Sequence, residues 1–77
     1  MTDEEDGERA LVTLCQEVLG VPELDPAARF VDVGGFSLAA MQVAYRLQTE
    51  HGYELAPTAL LRDESLAEVA RTLHRGG

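Results

Sequence analysis

Val33-Gly34-Gly35-Phe36-Ser37-Leu38-Ala39-Ala40-Met41-Gln42-Val43-Ala44-Tyr45-Arg46-Leu47 is the stretch on which the reading of this chain turns. It changes character at Ser37. Before it, two glycines let the backbone turn sharply and leave little bulk around the next residues. After it, the residues are apolar and helix-prone. The spacing predicts a helix that starts at Ser37, ends near His51 and stops at Gly52. The serine then stands at a helix start with its hydroxyl open to an incoming reagent.

On a helical wheel, at about 100° per residue, Ala40, Val43, Ala44 and Leu47 cluster on one side. Leu38, Met41 and Tyr45 cluster on the other, with Gln42 among them. A surface helix needs only one apolar stripe, and a small bundle cannot fully cover two. The second stripe is therefore expected to face a partner, and the flexible Met41 suits that role. The competing reading is that the preceding loop covers it.

Moving outward, residues 20–36 hold two prolines and three glycines and read as one long loop. Val21, Leu24, Phe30, Val31 and Val33 are expected to pin it to the core. Upstream, Leu11, Leu14, Cys15, Val18 and Leu19 form one stripe, so a first helix is expected from Gly7 to Leu19, ended by Gly20 and Pro22. Residues 1–6 read as a polar lead whose negative charge would suit the helix start. Downstream, Thr58–Arg62 reads as a short helical turn. Ser65–His74 reads as a last helix, with capping-box spacing between Ser65 and Glu68 and an apolar stripe of Leu66, Val69, Ala70 and Leu73. No sustained alternation or hairpin signal points to strands. The expected fold is all-α: a small four-helix bundle, three main helices plus one short helix, in a single domain over residues 1–77 with tails at 1–6 and 75–77.

Composition narrows the function. With 77 residues the chain can bury a small core but has no room for a deep catalytic cleft inside it. Aspartate and glutamate number 14 against six basic residues, all arginine, for a net charge of −8. Such a surface repels nucleic acid and draws in partners with basic surfaces. The single cysteine cannot form an internal disulfide, and no metal-ligand motif is present. The acidic start, Asp3-Glu4-Glu5-Asp6, is unlike a secretory signal, and no apolar run is long enough to span a membrane. A cytoplasmic monomer is expected.

At this point the residues resemble a known family, the phosphopantetheine-dependent carrier proteins, particularly the peptidyl carriers (thiolation domains) of nonribosomal peptide synthesis. The family pattern is an aromatic pair, an acid, an aliphatic residue, Gly-Gly, a variable polar residue and Ser-Leu. Phe30-Val31-Asp32-Val33-Gly34-Gly35-Phe36-Ser37-Leu38 follows it closely. His51-Gly52-Tyr53-Glu54-Leu55 is similar to the family's turn after its second helix, and Ser65-Leu66-Ala67-Glu68-Val69-Ala70 to the start of its last. The likeness runs from about Glu8 to His74. Phe36 departs from the pattern, standing where His, Asp or Asn is usual. Acyl carriers of fatty acid and polyketide synthesis usually have Asp there after a single glycine, so Gly34-Gly35 favours the peptidyl class, with an acyl carrier as the alternative.

The resemblance implies that Ser37 carries 4′-phosphopantetheine, attached from coenzyme A by a phosphopantetheinyl transferase, with Gly34 and Gly35 exposing it. The arm's thiol would hold an aminoacyl, peptidyl or acyl group as a thioester. The carrier would itself be non-catalytic. Its partners would include an adenylation enzyme or ligase and condensation, tailoring or thioesterase enzymes. They would dock on Phe36, Leu38, Met41, Gln42 and Tyr45. Met1 and the short flanks suggest a free-standing carrier rather than a module of a larger synthetase.

Other constellations are weaker. Ser37, His51 and Asp63 nominally make a triad, but His51 would lie about 20 Å along the helix from Ser37. His74 is expected solvated near a helix end, and Cys15 is expected buried on the first helix. The rival reading is a ubiquitin-like modifier using the terminal Gly76-Gly77. That fold requires several strands around a helix, whereas this chain reads as helical.

Overall fold

The computed structural model describes residues 3–75. The first helix, α1, spans Asp3–Leu19. It begins four residues before the expected Gly7, so part of the anticipated polar lead is helical, at the end of a helix that favours negative charge. Residues 1, 2, 76 and 77, from the two expected tails, lie outside the described residues. Leu11, Leu14 and Cys15 are fully buried, and Val18 and Leu19 pack partly buried against the same core.

The long loop is tied down by a 3₁₀ turn at Phe30–Val33. Three residues per turn put positions i and i+3 on one side. Phe30 is accordingly buried and Val33 half-buried, while Val31 faces solvent. Val31 therefore does not pin the loop as expected. Val21 and Leu24 are half-buried, as Val33 is.

Helix α2 spans Ser37–Arg46 and continues through a wider π turn at Leu47–His51. Gly52 ends it in the left-handed region, φ 76°, its N–H donating to the carbonyls of Gln48 and Leu47. This run of residues 37–51 is about 20 Å long, close to the shorter dimensions of the molecule, 23 × 22 Å. Arg46 holds its end in place, reaching Glu50 one turn on at 2.6 Å and Glu17 of α1 at 2.7 Å. Hydrogen bonding to Arg46 lowers the Glu50 pKa.

The expected short helix is a second 3₁₀ turn, Pro57–Leu61, that buries Leu60. The last helix, α3, is shorter than expected, Leu66–Ala70. Its end is tightened by i−3 bonds from Thr72 N–H to Val69 and from Leu73 N–H to Ala70. The chain then extends, and His74–Arg75 (β2) pairs antiparallel with Tyr53–Glu54 (β1). His74 is thus a strand residue opposite Glu54 rather than a residue in the last turn of a helix. Arg75, placed in a tail by the sequence, lies opposite Tyr53. A two-residue ladder has no periodicity to read, which is why it leaves no sign in the sequence. The architecture remains the expected all-α bundle.

The core is aliphatic except for Phe30 and Tyr53. Cys15 lies within it, and burial pushes its thiol up to about 12, so it is a small packed residue rather than a reactive one.

Candidate functional site

The site is built where the first 3₁₀ turn meets α2. Gly34 closes that turn at φ 91°, a conformation that side chains disfavour. Gly35 has a different task. A Cβ built on it would lie 2.2 Å from the Phe30 ring and 2.7 Å from the Phe30 carbonyl oxygen. It is a glycine because the ring and carbonyl of Phe30, the largest fully buried side chain, lie directly beneath it. The Phe30 carbonyl accepts hydrogen bonds from both Gly34 and Gly35 N–H groups. The two glycines therefore act unequally: one turns the chain and the other lets it lie flat on the core.

Phe36 follows in extended conformation as the N-cap of α2, with no side-chain cap hydrogen bond. Its carbonyl accepts from Ala40 N–H at 2.9 Å. Ser37 is the first residue inside the helix and is exposed. Among the described residues its hydroxyl has no hydrogen-bond partner. The N–H groups of Ser37, Leu38 and Ala39 belong to a first turn that has no intrahelical acceptors. Phe36 offers no side-chain acceptor to them. An exposed hydroxyl beside three open donors at a positive helix end suits a phosphate ester.

The two faces of α2 separate as the wheel predicts. Ala40, Val43 and Leu47 are 0% exposed and Ala44 7%, whereas Leu38 is 67%, Met41 57%, Tyr45 67% and Phe36 76% exposed. Gln42 is exposed beside them. The chain has two Phe, two Tyr and no Trp, and half of these aromatics stand in solvent, Phe36 beside Ser37 and Tyr45 about two turns further along α2. A chain so poor in aromatics would bury them if the fold alone decided their use.

Ser37 and His51 lie at opposite ends of the α2 run, and the Asp63 side chain is bonded to Arg29, so the three form no triad. His74 lines a surface hollow of about 460 Å³ together with Gln48, Glu54, Arg62 and Thr72, away from the serine. Among the described residues no three of His, Cys, Asp and Glu gather as a metal site, and no helix is long and apolar enough to cross a membrane.

Residues 9–73 match the family described as phosphopantetheine attachment site. The chain belongs to that family. As a carrier domain it bears 4′-phosphopantetheine covalently, and the open serine and helix start described above fit such a group. The domain is similar to a part of nonribosomal peptide synthetase valB of Aspergillus terreus, 45% identical over 65 residues, 82% of this chain and 2% of that protein. It is 37% identical over 68 residues to tyrocidine synthase 3 of Brevibacillus parabrevis, 88% of this chain and 1% of that protein. It is also 36% identical over 69 residues to a dimodular nonribosomal peptide synthase of Bacillus subtilis strain 168, 90% of this chain and 3% of that protein. The chain thus spans only a few per cent of the length of these relatives. Among solved structures it resembles one titled a nonribosomal PCP domain, with a TM-score of 0.83, 25% identity, and coverage of 94% of this chain and 92% of that one. These likenesses place the carrier domain in the peptidyl carrier class. A helical bundle of that class is not a ubiquitin-like fold, which sets aside the modifier reading.

Two features of the site were missed in the sequence. The Phe30–Gly35 contact joins residues five apart and leaves no periodic trace. Arg29 reaches both Asp32 and Asp63. Only the first pair, at i, i+3, is a spacing that a sequence displays.

Proposed function

We propose that Ser37 is the residue to which the phosphopantetheine arm is attached. On this reading the domain carries aminoacyl or peptidyl intermediates in nonribosomal peptide assembly. The observation that carries the reading is the Ser37 hydroxyl, exposed at the start of α2 and without a hydrogen-bond partner among the described residues. The arm, transferred from coenzyme A by a separate transferase, supplies a thiol on which an acyl group is held as a reactive thioester. The chain's own part is to present Ser37 and to surround its phosphate with N–H donors. No catalytic role is assigned to the domain; it is the substrate of its partners. Those partners are a phosphopantetheinyl transferase, an adenylation enzyme or ligase, and condensation, tailoring or release enzymes. Phe36, Leu38, Met41, Gln42 and Tyr45 form the surface they grip, and acidic charge elsewhere on the chain speeds their approach.

Intact-mass measurement tests the attachment. Incubation with coenzyme A and a broad-specificity transferase should add one phosphopantetheinyl group to the wild type and none to Ser37→Ala. Failure of several transferases on the wild type would remove the reading. Met41→Glu tests the surface: it should slow loading by the adenylating partner and leave melting unchanged. A melting point lower by several degrees would instead make Met41 part of the core.

A further inference from the structure

We propose that Arg29 is a positioning residue for Ser37, a clasp that holds the presenting loop against the turn entering α3. The inference rests on Ser37 being the attachment point.

The loop before Ser37 is held in two halves. Its first half is sewn to α3 by main-chain bonds: Leu66 N–H donates to Ala28 and Ala67 N–H to Pro26, each at 2.9 Å, and Arg29 forms a bridge with Ser65. Its second half, residues 30–36, is held by the Phe30 ring under Gly35 and by the Phe30 carbonyl. Arg29 stands at the join. Its Nε and Nη2 grip the carboxylate of Asp32 at 2.6 and 3.2 Å, and its Nη1 bonds Asp63. Asp32 lies in the 3₁₀ turn that leads to Gly34-Gly35. Asp63 lies between the second 3₁₀ turn and α3. One planar fork thus joins the serine's loop to the turn that enters α3. A lysine, as a single point charge, cannot reproduce that two-sided grip.

The side chains are substantially exposed, 44% for Arg29, 50% for Asp32 and 82% for Asp63. Exposed pairs contribute little to global stability and are weakened by salt. The clasp therefore acts locally, on the placement of residues 31–36, and its loss should be visible in recognition rather than in melting.

The test compares Arg29→Ala, Arg29→Lys and Asp63→Asn with the wild type. Arg29→Ala should raise the transferase KM for the carrier about three- to fivefold, the scale of one or two exposed ion pairs, with kcat nearly unchanged. Amide exchange across residues 31–36 should quicken, melting should fall by only a few degrees, and Arg29→Lys should recover part of the KM. Asp63→Asn should move KM and exchange in the same direction while leaving Arg29 in place. Unchanged exchange in Arg29→Ala overturns the clasp. A KM that rises in Arg29→Ala but not in Asp63→Asn also overturns it, because Arg29 would then touch the transferase directly. Exchange that quickens throughout α2 and α3, with a clear fall in melting, makes Arg29 a general support and overturns it too. If several transferases modify nothing on the wild type, the attachment reading falls, and the exchange data on the unmodified protein still decide whether the clasp exists.

Discussion

Ser65 and Ser37 both stand at the head of a helix, displaced from each other by one position in register. Ser65 is the N-cap of α3. Its hydroxyl accepts from Glu68 N–H at 3.2 Å, and the Glu68 carboxylate accepts from Ser65 N–H at 3.0 Å. The remaining first-turn donors reach Ala28 and Pro26. Every group at that helix start is satisfied, and it is closed to chemistry. Ser37 is one residue further in, behind an N-cap phenylalanine that accepts nothing with its side chain. Its hydroxyl and the neighbouring donors stay open. The same residue type serves structure in one place and reactivity in the other, and a shift of one residue against the helix start decides which.

Exchanging the two serines for alanine should separate these roles. Ser37→Ala abolishes phosphopantetheinyl addition in intact-mass measurements and leaves the melting curve in place. Ser65→Ala remains a substrate but loses about 1 kcal/mol, seen as a melting point roughly 4–8 °C lower for a domain of this size. If both variants lose the addition equally, the contrast fails.

The open helix start also depends on what lies under it. Gly35→Ala forces a methyl into the Phe30 ring, and should destabilise by the upper end of the ~1–3 kcal/mol typical of overpacking. Calorimetry should show a fall of roughly 10 °C or more. A silent Gly35→Ala would mean the loop lifts off the core without cost. Phe36→Asp converts the α2 start toward the α3 kind by supplying a capping acceptor. The unmodified variant should melt a few degrees higher, on the order of 0.5–1 kcal/mol. The smallest effect is on acidification. Hydrogen bonds from the Ser65 backbone and side chain hold the Glu68 carboxyl below its usual range, and Arg46 does the same for Glu50. A carboxylate with a lowered folded pKa contributes stability that is complete above its ordinary value, about 4.3, and is lost as pH falls through the folded value. Thermal melts should therefore lose stability below about pH 4.3, and less so in Glu68→Gln.

Much of this contrast was legible beforehand, for reasons of periodicity. The inner and outer faces of α2 repeat at helical spacing, the capping box spans three residues, and Gly52 stands where the helix must stop. The features that leave no mark in the sequence depend on contacts without a period. Val31 faces outward because a 3₁₀ turn, not a helix or a strand, carries it. His74 pairs with Glu54 through a ladder too short to show alternation. Asp63 meets Arg29 across 34 residues of chain, a separation that no local pattern records.

The adjoining glycines carry one more consequence, for how such a sequence can drift. At position 34 the restriction is on a backbone angle, and asparagine tolerates that angle better than most residues. At position 35 the restriction is on volume, set by both the ring and the main-chain carbonyl of residue 30. A change at 34 can therefore be accepted alone. A change at 35 meets the main-chain carbonyl of residue 30 as well as its ring, so a smaller residue at 30 does not by itself admit it, and two adjacent, identical letters would accumulate substitutions under separate rules.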